Sequence, residues 1–553
     1  MIKNTSPVFN RYLLRPLTLS VALLSLSACG VSPERITLDE QVLQANADHQ
    51  AMFAKQAPIE GAISLDEAMA RAIKYNLNQR LALMEQALAS NQLDVANLSM
   101  LPKLAASAGW NHRSNVSASS SESIRTGTES LEPSTSQERN IRTADLQLSW
   151  NILDFGLSYF SAKAQANRAL GFEEKRRYIV ADIMQKVRQA YWNAATAQRL
   201  QPQVKSALEE AQKALAQARQ TEEQRLLTPL ASLQYQKELL TMVRQLETLD
   251  AELATAKSRL AALMNLAPGT PYRLQVASAQ QWQVPDLNFR LTQLEQLAMI
   301  KRPEIREEAY KARNAVLETR SALLKLLPGA TLFSGLNYNS NDYLVNNDWA
   351  DAGVKVSWNL LNVFSFPSIK RTGEAREQVA HLRRQALRMT VLTQVNVAWR
   401  QFQSASHLFE RSQELQQVQS RILKQTDNAL QSQAQSLLER VRANTETVLA
   451  TRQRDRSYAD LRTAYGAIYQ AAGLDAVPLY VRDDKISTLT NAIRQERQVL
   501  AKGDLSEIGI MLAGAHVMMP DRTTQPQTVN LDLWQNLGSL QSVPLTSLDQ
   551  ASQ

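Results

Sequence analysis

The feature that most constrains the fold is the stretch from Trp150 to Arg225, in which Pro202 is the only proline. At ~1.5 Å of rise per residue, a helix of that length would be roughly 100 Å long. Helices of ordinary globular domains average ~11–12 residues, so a single compact domain has no use for this one. The stretch predicts an extended helical architecture.

The same plan occurs twice. Trp358-Asn359 repeats Trp150-Asn151 at an offset of 208 residues, and a second proline-poor run follows Pro367 to about Gln435. At that offset several residues match in pairs, namely Val187 with Val395, Ala190 with Ala398, Tyr191 with Trp399 and Leu266 with Leu474. A constant spacing of this kind indicates two copies of one unit, which we place at residues 63–275 and 285–475.

Each copy is predicted to run helix, helix, strand, strand, long helix, helix. Leu104, Ala106, Ala108 and Trp110 alternate with smaller or polar residues, which is typical of a strand. The predicted strands are at about 103–114, 142–150, 330–339 and 351–359, and the predicted helical hairpins at about 157–266 and 368–474. A long polar loop on one side of each strand pair suits a membrane hairpin, although soluble hairpins share the pattern.

Apolar seams predict coiled-coil packing within the hairpins. The seam residues of the first hairpin are Ala207, Ala211, Ala214 and Ala218, then Leu246, Leu249, Leu253, Ala256, Leu260 and Leu263. The seam residues of the second long helix are Leu408, Leu415, Val418, Ile422 and Ala429. We expect the first hairpin to turn at Thr228-Pro229.

Shorter helices flank these elements. Ser64 and Glu67 form a predicted capping box, and Leu294 to Ala298 echoes Leu65 to Met69. Residues 476–553 lie outside the repeat and are predicted to be a partly disordered tail with one helix from Thr490 to Ala501; a packed separate domain is the alternative.

Composition excludes several classes of site. The net charge of +8 is spread over mixed acidic and basic residues, without the basic block that predicts a nucleic-acid partner. Cys29 is the only cysteine and the five histidines are scattered, so neither a disulfide nor a metal site is expected. Catalytic signatures are lacking as well, so we predict a protein without cofactor or enzymatic activity.

The amino terminus reads as an export signal. Basic residues precede an apolar run from Leu17 to Leu26, which is short for a membrane span and ends in small residues. Leu26-Ser27-Ala28-Cys29 resembles the bacterial lipobox, which would make 1–28 a lipoprotein signal peptide and Cys29 the acylated first residue of the segment 29–62. An ordinary signal peptide with a chance cysteine is the alternative.

Two strands per copy give four per chain, too few to close a barrel. Lipid leaves no sheet edge unsatisfied, and a helix with one apolar seam needs neighbours. The chain must therefore oligomerise or stay out of the bilayer.

Over about residues 60–475 the layout resembles the TolC-like outer membrane efflux protein family. The residues that carry this resemblance are Ser64 to Ala68, Leu101-Pro102 with Leu327-Pro328, and the Trp150 and Trp358 junctions. The resemblance implies a mainly α fold whose coiled-coil helices form an α-barrel, and a homotrimer whose twelve pooled strands form a transmembrane β-barrel. It further implies a passive conduit in the outer membrane of a Gram-negative cell, reaching through the periplasm to an adaptor protein and an inner membrane transporter. The lipobox resembles that of the family's lipoprotein branch.

The resemblance also points to the hairpin tips. Members often carry two acidic residues after the second tip; here Glu439 fits the first position, but Arg442 occupies the second. Glu439 and Arg442 are thus candidates for the periplasmic constriction, and the alternative is an ordinary ion pair on a solvated helix face. The candidates for tip contacts with an adaptor are Thr228, Pro229, Gln433 and Ser436.

Two functions from different classes follow. The first is an export channel for small molecules or secreted macromolecules, type I secretion included; the second is a lipid-anchored periplasmic scaffold without a pore. The strand–loop–strand insertion in both copies favours the channel, since a scaffold has no need of it.

Overall fold

The computed structural model describes residues 33–54, 56–130, 132–224, 228–432, 436–474, 483 and 485–503. The predicted signal peptide, Cys29, Gln433 and the tail from residue 504 onwards lie outside the described residues.

Ten α-helices are found in the described residues. In chain order they are α1 Leu38–Phe53, α2 Leu65–Tyr75, α3 Leu77–Leu98, α4 Ile152–Glu223, α5 Pro229–Leu263, α6 Leu291–Lys301, α7 Pro303–Leu324, α8 Phe366–Gln431, α9 Leu437–Ala471 and α10 Ile486–Lys502. No helix of the described chain combines the length and the apolar character needed to cross a membrane.

The strands of the described chain are β1 Ala62–Ile63, β2 Lys103–His112, β3 Ala118–Ser119, β4 Ser134–Thr135, β5 Asn140–Asn151, β6 Arg273–Leu274, β7 Gly329–Asn339 and β8 Asp348–Ser357. Four of them form the antiparallel main sheet, in the order β2-β5-β7-β8. The four predicted strands are confirmed, with β8 ending before Trp358 rather than after it. A parallel bridge joins β1 to β6, and β3 pairs with β4 in the outer loop.

The repeat is visible in the element lengths. The return helices α5 and α9 each have 35 residues and begin 208 positions apart. Before the strands the spacing is 226 positions, where α2 and α6 have 11 residues each and α3 and α7 have 22 each. The change of spacing arises because the loop before β5 is much longer than the loop before β8. Leu65 therefore matches Leu291, and the proposed match with Leu294 was wrong by three residues.

The predicted long helix is confirmed as α4, which has 72 residues and a length of roughly 110 Å. It begins at Ile152, earlier than residue 157. Its counterpart α8 begins only at Phe366, after a 3₁₀ turn over Leu360–Ser365. Pro367 explains the difference, because proline has no N–H to donate to the carbonyl four positions before it and its ring clashes with that carbonyl.

The helices form a wall with two levels, an upper one next to the sheet and a lower one towards the hairpin turns. The short upper helices α3 and α7 continue the lower return helices α5 and α9. The lower order is α5, α4, α9, α8 and the upper order is α3, α4, α7, α8. At one junction the Asn76 side-chain amide, at the start of α3, donates to the Leu263 carbonyl at the end of α5, at 3.1 Å. At the other, Arg302 Nη1 donates to the carbonyl of Gln470 in α9, at 3.2 Å. The Asn76 contact gives a partner to a carbonyl at the end of α5, whereas the Gln470 carbonyl also accepts from the Gly473 amide, at 3.0 Å.

The predicted seam of the first hairpin is buried. The four alanines on α4 and Leu246, Leu249 and Leu260 on α5 belong to the core, and the remaining members Leu253, Ala256 and Leu263 are half-buried. Small residues on α4 let α5 approach closely, so this hairpin packs as predicted.

The predicted seam of the second hairpin is not buried within the chain. Leu408, Leu415, Val418 and Ile422 are 45–58% exposed, and Ala429 is half-buried. The core side of α8 is instead formed by Val391, Val395, Ala398, Phe402, Ala405 and Phe409. The interpretation of these five residues as an intrachain seam was therefore wrong. They form an outward-facing line of α8, which we call the α8 stripe: Leu408, Leu415, Val418, Ile422 and Ala429.

The predicted carboxy-terminal helix is present as α10 and packs against α2. Ile493 is fully buried there, and Asp66 is 3.1 Å from Arg497 Nε. At the start of α2, the Ser64 hydroxyl accepts from the Glu67 amide, but the Glu67 carboxylate pairs with Arg71 at 2.8 Å. Half of the predicted capping box is thus formed.

Candidate functional site

One face of the main sheet carries an apolar band, which Ser334 interrupts and which has Arg142 and Asp348 at its loop end. Residues directly opposite each other share a face, and rows such as Leu104–Leu148–Ser334–Ala352 and Trp150–Leu332–Val354 cross neighbouring strands. The band contains Leu104, Ala106, Ala108, Trp110, Ala144, Leu146, Leu148, Trp150, Ala330, Leu332, Leu336, Tyr338, Ala350, Ala352, Val354 and Val356. Its large side chains are exposed, for example Trp110 at 69% and Val356 at 67%. No element of the described chain covers this band.

The opposite face of the sheet is mainly polar, although it also carries Ile141, Phe333 and Trp349. Its rows include Ser107–Asp145–Asn337 and Gln147–Gly335–Asp351. Asn337 Nδ2 donates to Asp351 Oδ1 at 3.0 Å across β7 and β8, and Ser107 donates to Asp145 at 3.1 Å across β2 and β5. The outer strands β2 and β8 each have one edge that pairs with nothing in the described chain.

At the far end of the helices, two predicted tip residues are helix caps. Thr228 accepts from the Ala231 amide at the start of α5, and Ser436 accepts from the Glu439 amide at the start of α9. Pro229 occupies the first turn of α5, where its missing N–H leaves no bond unmade. These caps lie at equivalent positions of the two copies.

Arg440 holds the second tip to its neighbours. Its Nε is 2.8 Å from Asp427 Oδ1 on α8, and its Nη1 pairs with Glu210 on α4. Asn444 also donates to Glu210, at 2.6 Å. A single guanidinium on α9 thereby connects both adjoining long helices.

Arg442 connects a further helix. It pairs with Glu439, 2.9 Å away in the first turn of α9, and with Glu238 on α5. The structure thus brings Glu439 and Arg442 together, and it brings Arg442 to Glu238 rather than to Thr228 or Pro229. We call the residues Glu210, Glu238, Asp427, Glu439, Arg440 and Arg442 the tip network.

Sequence reasoning missed Arg440, Glu210 and Glu238. A weak signal existed, since Glu210 directly precedes seam residue Ala211. Charged residues that flank a seam pair across helices in coiled coils. The partner could not be chosen from spacing alone, because the relative height of the two hairpins depends on the packing of α9 against α4.

Among the described residues, no cluster of three or more histidine, cysteine, aspartate or glutamate side chains is placed to hold a metal ion. The site offers an apolar sheet face, a polar sheet face and a charged helical tip, which are binding and lining surfaces.

Solved structures share this fold. The CmeC outer membrane channel of Campylobacter jejuni matches with a TM-score of 0.60 at 15% identity, over 80% of this chain and 93% of that one. CusC, described with transmembrane channel formation, matches with 0.58 at 18% identity, over 76% and 95%. The outer membrane protein VceC of Vibrio cholerae matches with 0.56 at 16% identity, over 74% and 96%.

No protein-family model and no curated protein matches the sequence. At these identities the solved structures establish the fold, which is the one that the resemblance to TolC-like channels implied.

Proposed function

We propose that this chain, which has the fold of TolC-like outer membrane channels, is one protomer of a passive export conduit in the outer membrane. The observation that carries the proposal is the main sheet, with an exposed apolar band on one face and polar residues on the other. In water such a band would be covered by another element, whereas in a bilayer it faces lipid.

The dimensions of the sheet fit a membrane. The four strands have 10 to 12 residues each, and a tilted transmembrane strand needs ~9–11. Trp110 and Tyr338 lie at the loop end of the apolar band and Trp150 at the helix end. Aromatic residues are enriched at these two levels in membrane barrels.

The free edges of the sheet require further copies. Unpaired strand edges have no hydrogen-bond partners in lipid, so β8 of one copy is proposed to pair with β2 of the next. Such a head-to-tail contact closes into a ring. Three copies would supply twelve strands, as the family resemblance implies.

The helical wall leaves complementary edges for the same ring. One edge is α3 with α5, where Leu81, Met84, Leu88 and Val95 are exposed on α3. The other edge is α8 with its stripe. Both edges carry an apolar line that no element of the described chain covers. We infer that these lines pack against each other in neighbouring protomers, so that the wall continues around a tunnel.

The tip is the proposed gate. Glu439 and Arg442 would form rings around the axis, where their charge would set ion preference. Because Arg442 is paired with Glu439 and Glu238, we infer that its charge is largely neutralised while the network is intact. Thr228, Pro229, Gln433 and Ser436 are the proposed contacts for a periplasmic adaptor.

Cys29 would carry the acyl chains that hold the amino terminus to the outer membrane, since each buried methylene adds ~0.8 kcal/mol to membrane binding. An adaptor and an inner membrane transporter would supply cargo and energy. The cargo would be small molecules or secreted macromolecules, which pass through without chemical change.

Conductance in planar bilayers tests the proposal. The purified full chain should insert and carry current, and it should run as a heat-sensitive trimer on gels. A lipid-anchored scaffold would behave differently: after Cys29→Ser it would be a monomer extractable without detergent, with no conductance. That result would refute the conduit.

A further inference from the structure

No element of the described chain covers helix α1. It has 16 residues, none of them buried, and only Met52 and Phe53 at its end are half-buried. The Thr37 hydroxyl caps its start by accepting from the Glu40 amide at 3.3 Å. Isolated helices of ~12–15 residues are marginal in water, and most helices in proteins are stabilised by packing one apolar side. We therefore expect α1 to have a partner surface.

One side of α1 has the spacing of a coiled-coil seam. Its members, which we call the α1 seam, are four, three, four and three positions apart: Leu38, Val42, Ala45, His49 and Met52. His49 is the one polar member. Asp39 directly follows the first member and Asp48 directly precedes the fourth, so both acids flank the seam. Charges at flanking positions choose the partner helix in coiled coils, so the partner of α1 should be both apolar and basic.

The charge of α1 argues against a lipid surface as this partner. Helices that lie on membranes carry lysine and arginine on their polar side, where these residues meet anionic lipid. α1 carries Asp39, Glu40 and Asp48 and contains neither lysine nor arginine. A basic protein surface suits it better.

The end of α1 is tied to the wall at the junction of α5 and α3. The Asn265 side chain, just after α5, donates to the Met52 carbonyl at 2.6 Å, and the Gln56 side chain donates to the Asn265 carbonyl. Asn76 joins α3 to α5 at the same junction. α1 is thus fixed beside the α3 and α5 edge, which the proposed ring places against α8 of the next copy.

The equivalent junction of the second repeat gives the height at which α1 would meet α8. There Arg302 Nη2 donates to the Gln394 side chain of α8, at 2.6 Å. A helix with the length of α1 spans ~24 Å, so it can cover α8 over ~16 positions on either side of Gln394.

The part of α8 within this reach is complementary to α1. Residues 378–409 contain no acidic residue and four arginines, namely Arg383, Arg384, Arg388 and Arg400. None of the four lies within 4 Å of a carboxylate of the described residues. Leu382, Met389 and Val397 are exposed on one side of the same stretch, opposite its buried residues. This surface combines the apolar and the basic character that the α1 seam requires.

We propose that α1 packs on α8 of the next copy, with its seam against Leu382, Met389 and Val397 and its acids beside the arginines of that stretch. The inference rests on the proposed ring of copies. It adds to that ring a helix that crosses from each copy to its neighbour.

Crosslinking of introduced cysteines in the detergent-solubilised full chain tests the proposal. Val42→Cys is combined in turn with Leu382→Cys, Met389→Cys and Val397→Cys, and at least one combination should give covalent dimers and trimers with a short bismaleimide. Ala47→Cys, which lies on the opposite side of α1, is the matched control and should give none above background. Cys29 is the only native cysteine, so the unchanged chain supplies that background.

A second pair of variants measures the stability of the same contact. Val42→Lys places a positive charge in the seam next to the arginines of α8, so the trimer should dissociate at a lower temperature on gels. Ala47→Lys adds the same charge on the opposite side of α1 and should leave the dissociation temperature unchanged.

Several results would overturn the placement of α1 without touching the conduit. They are equal crosslinking by Ala47→Cys, crosslinks confined to single chains, no crosslink above background in any combination, and an equal fall in dissociation temperature in Ala47→Lys. In each case a three-copy complex that conducts would leave the conduit standing. An unchanged chain that forms no three-copy complex and carries no current would overturn both.

Discussion

The two helical hairpins, α4–α5 and α8–α9, come from equivalent parts of the repeat, yet their apolar residues meet different neighbours. In the first, the alanines of α4 and the leucines of α5 are buried against each other. In the second, the α8 stripe faces outward, and the lower part of α8 meets α9 through polar pairs. These include Arg454 with Gln416 at 2.9 Å and Gln419 with Glu446 at 2.8 Å.

The difference indicates that the two hairpins have different structural roles. An apolar seam holds the first hairpin together as a rigid unit. Val441 and Val448 of α9 are buried in the same core as α4, so α9 is held to the first hairpin by apolar packing as well as by the tip network. The lower part of α8 is held mainly by polar pairs, and exposed ion pairs contribute only ~0.2–1 kcal/mol each. The lower part of α8 is thus the element that can move away from the wall most easily, and its stripe is available to another protomer.

The largest effect is expected from charges on the α8 stripe. Leu415→Glu combined with Ile422→Glu would bury unpaired carboxylates in the proposed interface, so the protein should lose its oligomeric state while circular dichroism retains its helix content. Gln417→Glu, which adds a charge on the opposite side of α8, is the control. An oligomer that survives both stripe charges would show that the stripe is no interface.

The next effect separates the seam from the stripe. In the dissociated double variant, Leu246→Ala should lower the free energy of unfolding by ~2–5 kcal/mol, since Leu246 is fully buried. Leu408→Ala, at an exposed position of α8, should change it by less than ~0.5 kcal/mol in denaturant titrations. Equal losses would contradict the contrast between the hairpins.

A smaller effect is expected at the tip network. Arg440→Gln removes the contacts of α9 with Glu210 and Asp427, so the proposed gate should open more often and raise the mean current in planar bilayers. The expected energetic change is about 1 kcal/mol. Arg411→Gln removes an ion pair within a single helix, with Glu414, and should leave the current unchanged. An unchanged current in Arg440→Gln would show that Arg440 has no role in gating.

The smallest effect concerns one position at which the copies differ in polarity. Glu174 on α4 is buried, whereas Leu382, 208 positions later, is 63% exposed. Burial raises the pKa of Glu174 above its ordinary value of 4.5, although Arg177 and Arg306 oppose the shift. Its ionised form is thus less favoured in the folded chain than in the unfolded one.

The contribution of Glu174 to stability is fully present below the ordinary pKa and is lost as pH rises through the raised pKa. The melting temperature of Glu174→Gln minus that of the unchanged protein should therefore increase as the pH rises from 4.5 to 7.5. If this difference instead decreased as the pH rises, the ion pairs of Glu174 with Arg177 and Arg306 would outweigh the cost of its burial.

Local pattern predicted most elements but not their partners. Helix bounds followed from prolines, caps and apolar spacing, and the strands followed from alternation at Leu104 to Trp110. The partner of the α8 stripe could not be predicted, because periodicity identifies an apolar line without saying which chain covers it. The 3₁₀ turn before Pro367 was a missed local signal.

The candidate site was less predictable. The caps at Thr228 and Ser436 follow from residue type and position. The pairs of Arg440 with Glu210 and of Arg442 with Glu238 join residues more than 200 positions apart, and they depend on how far one hairpin slides along the other. Long-range register of this kind is set by packing over the whole wall.

The number of chains in the assembly tests the central claim most directly. Native mass spectrometry of the full chain, extracted from membranes in detergent, should give a complex of three copies, which closes four-stranded sheets into a twelve-stranded ring. A single copy, with its apolar band and both sheet edges uncovered, would contradict the conduit.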